Sequence, residues 1–269
     1  MPTQLFDLPP EILLQILSTL PINHLLRFAQ TSQFARSLAY SNLHNLSLAV
    51  YPSHRSSWHN KLFTTQQKPQ YDRHRVIQIP QAWDFDYSTL LNFHNKIITS
   101  ILNRHAFALQ RLELTLWTIS LPIARALASL QGLRELTVRI EATHSMPRAY
   151  MNLQRKEECR AWDLLASTSS FMSQVQILTL EGAEITAGQL SGLLSDTERP
   201  RELRLSKCDM LTSSIWSSPR LAGLQHLSIT DCVNVHVNEM ALETISKMHR
   251  LQVGQPQIQD RSSVQHRTR

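Results

Sequence analysis

Apolar residues recur at three- and four-residue intervals along the first forty positions. Leu8, Ile12, Leu13, Ile16, Leu17 and Leu20 form one run, Leu25, Leu26 and Phe28 a second, Phe34 and Leu38 a third. That spacing predicts amphipathic helices, and the residues between the runs predict where they start and stop. Asp7 can cap the first helix, and Pro9 and Pro10 suit its first turn, where a missing amide has no partner to lose. Pro21 ends it, because a proline ring clashes with a continuing helical backbone. Asn23 can cap a second helix, and Ser32 a third with Phe34 and Leu38 turned inward. Three short helices cannot hide so many large aliphatics, so part of the stripe must meet a neighbouring domain or another protein. On pattern alone, a docking module and a helical cap on the next domain stand even.

Beyond residue 100 the pattern becomes Leu-x-x-Leu-x-Leu and its relatives. It occurs at Leu109-Leu112-Leu114, Leu133-Leu136-Val138, Val175-Leu178-Leu180, Leu203-Leu205, Leu224-Leu227-Ile229 and Leu251-Val253. Anchors 112 and 136 are 24 residues apart, and 178, 203, 227 and 251 follow one another at 25, 24 and 24. Alternating apolar residues predict short strands with one face inward. A fixed period in this range predicts an array in which each unit completes its neighbour's core and the strands stack in parallel. Leu43-Leu46-Leu48 and Val76-Ile77-Ile79 can begin the array at irregular spacing. Helical returns fit between the strands: Ser120 can cap one over 122–130 closed by Gly132, Thr186 one over 187–194, and Asn238 one over 239–248.

Two segments interrupt the period. Residues 51–107 hold a polar, His-rich stretch and then a predicted helix from Tyr87 to Arg104; residues 141–170 contain MPRAYMNLQRKEECRAWDLLAS. Insertions in repeat arrays commonly form loops on one face, often the binding face. The last sixteen residues, 254–269, have no apolar period and are expected to be disordered.

Charge and composition narrow the chemistry. The net charge of +6 comes from 27 Lys and Arg against 21 Asp and Glu. Its excess lies in 51–110, seven basic against three acidic, and in the tail. Basic loops and tails are usually solvated, which argues against nucleic acid as the partner. No apolar run is long enough to span a membrane, and the opening MPTQLFDLPPE does not have the form of a signal peptide. Three widely spaced cysteines describe no disulfide framework and fit a reducing interior, cytoplasm or nucleus. No phosphate-binding, nucleophile-elbow or zinc-protease signature occurs, so no cofactor or catalytic residue is expected. His54 and His59 lie five apart with no cysteine near, and Glu157, Glu158 and Asp163 fit the solvated face of a helix. Cys208 and Cys232, one repeat apart, are expected to be buried, stacked and free of metal, since two-cysteine zinc sites need close pairs and further ligands.

The N-terminal stripe resembles the F-box family. The matching positions are Leu8, Pro9, Glu11, Ile12, Leu13, Ile16, Leu17, Leu20, Pro21, Leu25, Leu26, Ser32 and Leu38. Two positions depart from the pattern: Thr31 stands where valine is usual, and Ala35 at the aromatic position, with Phe34 one place early. Behind it, the residues at 175–253, including Cys208 and Cys232, resemble the cysteine-containing leucine-rich repeats often found after F-boxes. The resemblance implies an α/β chain: a three-helix F-box at 1–40, a linking segment at 41–107, and an irregular leucine-rich repeat solenoid with a parallel sheet at 108–253.

It further implies a non-catalytic substrate adaptor of an SCF-type cullin-RING ubiquitin ligase. Leu8, Pro9, Ile12, Leu13, Ile16, Leu17, Leu20, Leu25 and Leu26 would dock the Skp adaptor. Target-contact candidates are the residues between the inward leucines: Glu113, Thr115, Glu135, Thr137, Arg139, Thr179, Arg204, Ser206, Ser228 and Thr230. Trp117, Trp162 and Trp216 stand as interface anchors or core residues. The competing readings are a repeat scaffold whose helices only cap the array, and a nucleic-acid binder using 51–75.

Overall fold

Three short helices open the chain: α1 (Pro10–Ser18), α2 (Ile22–Ala29) and α3 (Gln33–Ser41). The computed structural model describes residues 8–20, 22–41, 43–52, 76–79, 82–141, 148–195, 197 and 200–248. Asp7, the His-rich stretch with His54 and His59, the strand expected at Leu251-Val253 and the tail lie outside the described residues. The N-cap of α1 is Pro9, two residues beyond Asp7, and its carbonyl receives the amides of Ile12 and Leu13. Helix α2 begins at Ile22, so Asn23 lies inside its first turn and not at its cap. Ser32 does cap α3, its Oγ accepting from the Ala35 amide at 3.0 Å. Phe34 is 52% exposed and Ala35 fully buried, the reverse of the expectation for Phe34. Ala29, Ala35 and Ala39 are all buried, and a contact between helices built on methyl groups leaves no room for an inward phenyl ring.

Seven parallel strands follow: β1 (Asn45–Pro52), β2 (Val76–Ile79), β3 (Arg111–Leu116), β4 (Glu135–Ile140), β5 (Ile177–Glu181), β6 (Glu202–Ser206) and β7 (His226–Thr230). Their order is β2-β1-β3-β4-β5-β6-β7, so the chain runs outward from β1 to β2 and then returns to β1's other side. From β3 on, strands succeed one another in sequence order. Register aligns Leu46, Leu112, Leu136, Leu178, Leu203 and Leu227 in one column, and Leu48, Leu114, Val138, Leu180, Leu205 and Ile229 in a second. Both columns are buried as far as β6, while Leu227 and Ile229 on β7 are only half-buried.

The helical returns form one layer over those columns: α4 (Tyr87–Arg104), α5 (Leu121–Ala128), α6 (Arg148–Ser167), α7 (Ala187–Ser195) and α8 (Glu239–Lys247). Between β6 and β7 the return is two 3₁₀ turns, Ser213–Ser217 and Pro219–Gly223. Thr186 and Gln189 form a reciprocal capping box on α7. The Gln189 amide donates to Thr186 Oγ1 at 3.3 Å, and the Thr186 amide to Gln189 Oε1 at 2.9 Å. Thr186→Ala is expected to cost about 1 kcal/mol of stability in urea denaturation. Asn238 caps α8 through the Ala241 amide, whereas Ser120 precedes α5 without a capping bond. Gly132 takes φ +86° in the turn before β4.

The second insertion is not a loop on the sheet's open face. Its residues form α6, which packs between α5 and α7 in the helical layer. An amphipathic twenty-residue segment lowers its free energy more by burying its apolar edge in that layer than by staying in solvent. Trp117, Trp162 and Trp216 are likewise core residues, 2%, 2% and 6% exposed, which removes them as interface anchors. Trp117 Nε1 donates to the Val50 carbonyl at 2.8 Å and its ring stacks on His94, so the indole N–H is satisfied inside.

Candidate functional site

Helix α1 divides its apolar stripe between two faces. Leu13 and Leu17, one turn apart, are 1% and 4% exposed, and Leu25 on α2 is 6% exposed; all three belong to the core. They are therefore not surface residues for a partner, which corrects their place among the docking candidates. Neighbouring helical positions point about 100° apart, so the residue before each inward leucine faces out. Ile12 and Ile16 are 42% and 40% exposed, and Leu8, just before the helix, is 36% exposed. Pro9 is exposed too, and Leu20 and Leu26 are half-buried. The outward set is thus a ridge at four-residue spacing, Leu8, Ile12 and Ile16, edged by Pro9 and Leu20.

The sheet carries a second surface on the face away from the helical layer. Outward residues fall into rows set by the strand register. One row is Glu113, Thr137, Thr179, Arg204 and Ser228, and the next is Thr115, Arg139, Glu181, Ser206 and Thr230. Glu135 lies in a third row between Arg111 and Ile177, followed by Glu202 and His226. Arg204, Ser228 and Thr230 are exposed; Glu113, Glu135, Thr137, Arg139, Thr179 and Ser206 are half-buried. Thr115 is the exception at 2% exposure. It is packed between Ala49 on β1 and Arg139 on β4, so it is not a contact residue.

Ion pairs link these rows. Arg139 Nε donates to Glu181 Oε2 at 2.6 Å, its Nη1 lies 3.8 Å from Glu113 Oε1, and Lys207 Nζ donates to Glu181 Oε1 at 3.1 Å. Arg111 pairs with Glu135, and Arg204 with Glu202, both at 2.7 Å. Burial works to raise the Glu181 carboxyl, but the hydrogen bonds and charges of Arg139 and Lys207 outweigh it and hold it below the usual glutamate range. Half-exposed pairs of this kind add little stability; their effect here is to fix side-chain directions across three strands. Glu181, Arg111, Glu202 and His226 were missed in the sequence, although they flank the inward columns as the named residues do. The signal was the same alternation, extended by one position at either end of each strand.

The thiols differ from one another. Cys208 is fully buried and burial pushes its thiol up to about 12, whereas Cys232 is half-buried. Cys232 follows β7, the last described strand, and no described neighbour covers it as β7 covers Cys208. Among the described residues, no group of three or more His, Cys, Asp or Glu could hold a metal ion, and no helix is long and apolar enough to cross a membrane.

Residues 5–45, which include the ridge and its three helices, match the family model of the F-box domain. The N-terminal unit is an F-box domain. No curated protein matches the chain.

The F-box joins the sheet directly, without a spacer. Helix α3 ends at Ser41, β1 begins at Asn45, and Leu43 between them is buried. Tyr40 of the F-box meets His105 edge-on with ring centroids 4.7 Å apart, and its hydroxyl accepts from Arg104 Nη1 at 3.5 Å. His44 Nδ1 lies 3.0 Å from the Ala108 carbonyl. Burial and the adjacent Arg104 charge lower His105 to about 4, so it is neutral at this junction near pH 7. The buried leucines of the F-box and of the sheet form a single core.

Proposed function

We propose that this chain is a non-catalytic substrate-recognition adaptor of an SCF-type cullin-RING ubiquitin ligase. Its F-box docks the Skp adaptor, its strands and returns are an irregular leucine-rich repeat solenoid, and the open face of the sheet holds a target protein. The observation that carries this reading is the ridge of Leu8, Ile12 and Ile16, large aliphatics left outside the core of a unit that matches the F-box model. Leaving three such side chains in water costs a few kcal/mol, which a partner's apolar surface would recover. The charge-laced open face supports the second half, since specific interfaces combine polar complementarity with a packed centre. The 24-residue period, the stacked leucine columns and the Cys208 position support the repeat assignment. The site of action is a reducing compartment, cytoplasm or nucleus, with no cofactor.

The test is titration of the full chain with purified Skp adaptor by calorimetry, followed by assembly with the cullin-RING core. A stoichiometric complex is expected. Absence of binding by a folded chain would sink the reading and leave the second one: a repeat scaffold whose N-terminal helices only cap the array. That alternative draws on the single core shared by Leu13, Leu17, Leu25 and Leu38 with the sheet.

A further inference from the structure

Glu158 was expected on a solvated helix face with Glu157 and Asp163, and the structure overturns this for Glu158 alone: it is 3% exposed. Its carboxyl is the point where α6 meets the loops beyond two strands. Oε1 accepts from the Glu184 amide, after β5, at 3.0 Å and from Trp162 Nε1 at 3.3 Å. Oε2 lies 3.4 Å from the Thr118 hydroxyl, after β3. All three partners are neutral. A buried carboxylate normally has a cation beside it, because removing a bare charge from water is costly.

The surrounding charged and titratable groups do not supply that cation. Arg155, one turn earlier on α6, donates to Glu184 Oε1 at 2.9 Å. Glu184 therefore faces the site as a like charge whose own counter-ion is taken. Asp163 accepts from Gln189 on α7 at 2.7 Å, and the same amide nitrogen reaches the Cys159 carbonyl. From α4, Tyr87 donates to Gln154, and His94, which burial lowers to about 4, receives the Trp117 amide. On α5, Arg125 is exposed, and the 3₁₀ turn Ser169–Met172 contains no titratable residue.

We propose that Glu158 is a proton-operated latch: as a neutral carboxylic acid it holds α6 against the loops after β3 and β5, and on ionisation it lets that helix loosen. In the neutral form Oε1 keeps both donors, while the Oε2 proton can be given to Thr118 Oγ1, a hydroxyl able to accept it. Ionisation passes that proton to water and leaves a charge with no cation to meet it. Burial first, with Glu184 adding, raises the carboxyl from 4.5 to about 7, against the lowering effect of its three hydrogen bonds. A folded value above the unfolded one means that this contribution to stability is full below about 4.5 and is lost as pH rises through about 7. The latch therefore works within the pH range of a living cell. The inference rests on the packing of α6 and not on the ubiquitin-ligase reading.

Hydrogen exchange of the full chain, corrected for the intrinsic pH dependence of amide exchange, tests it. Opening of 148–167 is expected to increase about tenfold between pH 6 and pH 8 in the wild type. In Glu158→Gln it should stay flat, because the amide Oε1 keeps both donors and Nε2 can donate to Thr118. Should that variant fold poorly, the infrared band of a protonated buried carboxyl in the wild type gives an independent reading, expected to fade as pH passes about 7. Opening in α6 that does not change with pH, a rise retained in Glu158→Gln, or no protonated carboxyl at pH 6 would each overturn the latch.

Discussion

Replacing Ile12 and Ile16 together by alanine is expected to weaken Skp-adaptor binding roughly thirty- to a hundredfold while moving the melting temperature by no more than a few degrees. Full burial of one such side chain contributes about 1.5–3 kcal/mol. Ile12 and Ile16 are already partly covered, at 42% and 40% exposure, so only part of that remains for a partner. The pair should therefore lose about 2–3 kcal/mol of binding, at about 1.4 kcal/mol per tenfold. Leu13→Ala is the mirror experiment. Leu13 is 1% exposed inside the shared core, so truncation should cost about 2–5 kcal/mol of folding stability and affect binding only through the population of folded chain. Calorimetric titration and thermal unfolding on the same samples separate the two. If the double variant bound at full strength, or if it melted like Leu13→Ala, the ridge would not be the docking surface.

Gly182→Ala is expected to destabilise the chain by about 2–4 kcal/mol, a large effect for one methyl group. Gly182 has φ +68° immediately after β5, and a Cβ there would collide with the backbone carbonyl oxygen of Ile140 on the neighbouring connection. The left-handed backbone alone costs a non-glycine residue about 1 kcal/mol, and a backbone atom cannot swing aside as a flexible side chain can. The equivalent positions after β6 and β7 are also left-handed, but they are Lys207 at 54° and Asp231 at 55°. A β-carbon is tolerated at both. Asp231→Gly should accordingly change stability by less than about 1 kcal/mol, relief of the left-handed strain being offset by greater freedom of the unfolded chain. Urea denaturation of both variants checks the contrast, and a neutral Gly182→Ala would refute the close approach to β4.

The strands were legible because one spacing recurs: residues two apart along a strand, and strands 24 or 25 residues apart, both survive translation into register. Helix α4 was legible from Tyr87 to Arg104 for similarly local reasons, with Asp86 capping it through the Thr89 amide. Spatial order was not legible. Nothing in Val76-Ile77-Ile79 says that it pairs on the far side of β1, since a short apolar run fits any edge. The division of the α1 stripe was hidden as well. Ile12, Leu13, Ile16 and Leu17 are equally apolar, and which pair faces inward depends on where α3 and the sheet lie. Glu158 escaped for the same reason: its partners Thr118 and Glu184 are 40 and 26 residues away. No window of helix α6 distinguishes it from Glu157.

The position of β1 between β2 and β3 bears on the order in which the molecule assembles. Leu46 must find Leu112 across 66 residues of chain, whereas Leu178 and Leu203, or Leu203 and Leu227, close across 25 and 24. The longer closure costs about 1 kcal/mol more in chain entropy, and contacts of long sequence separation form late. The C-terminal units can therefore zip together while β1 is still unpaired. The F-box, tied to β1 by the three residues after Ser41, leaves the ribosome first, yet it acquires its fixed orientation only when β3 arrives. Its ridge exists before there is a rigid frame to hold it.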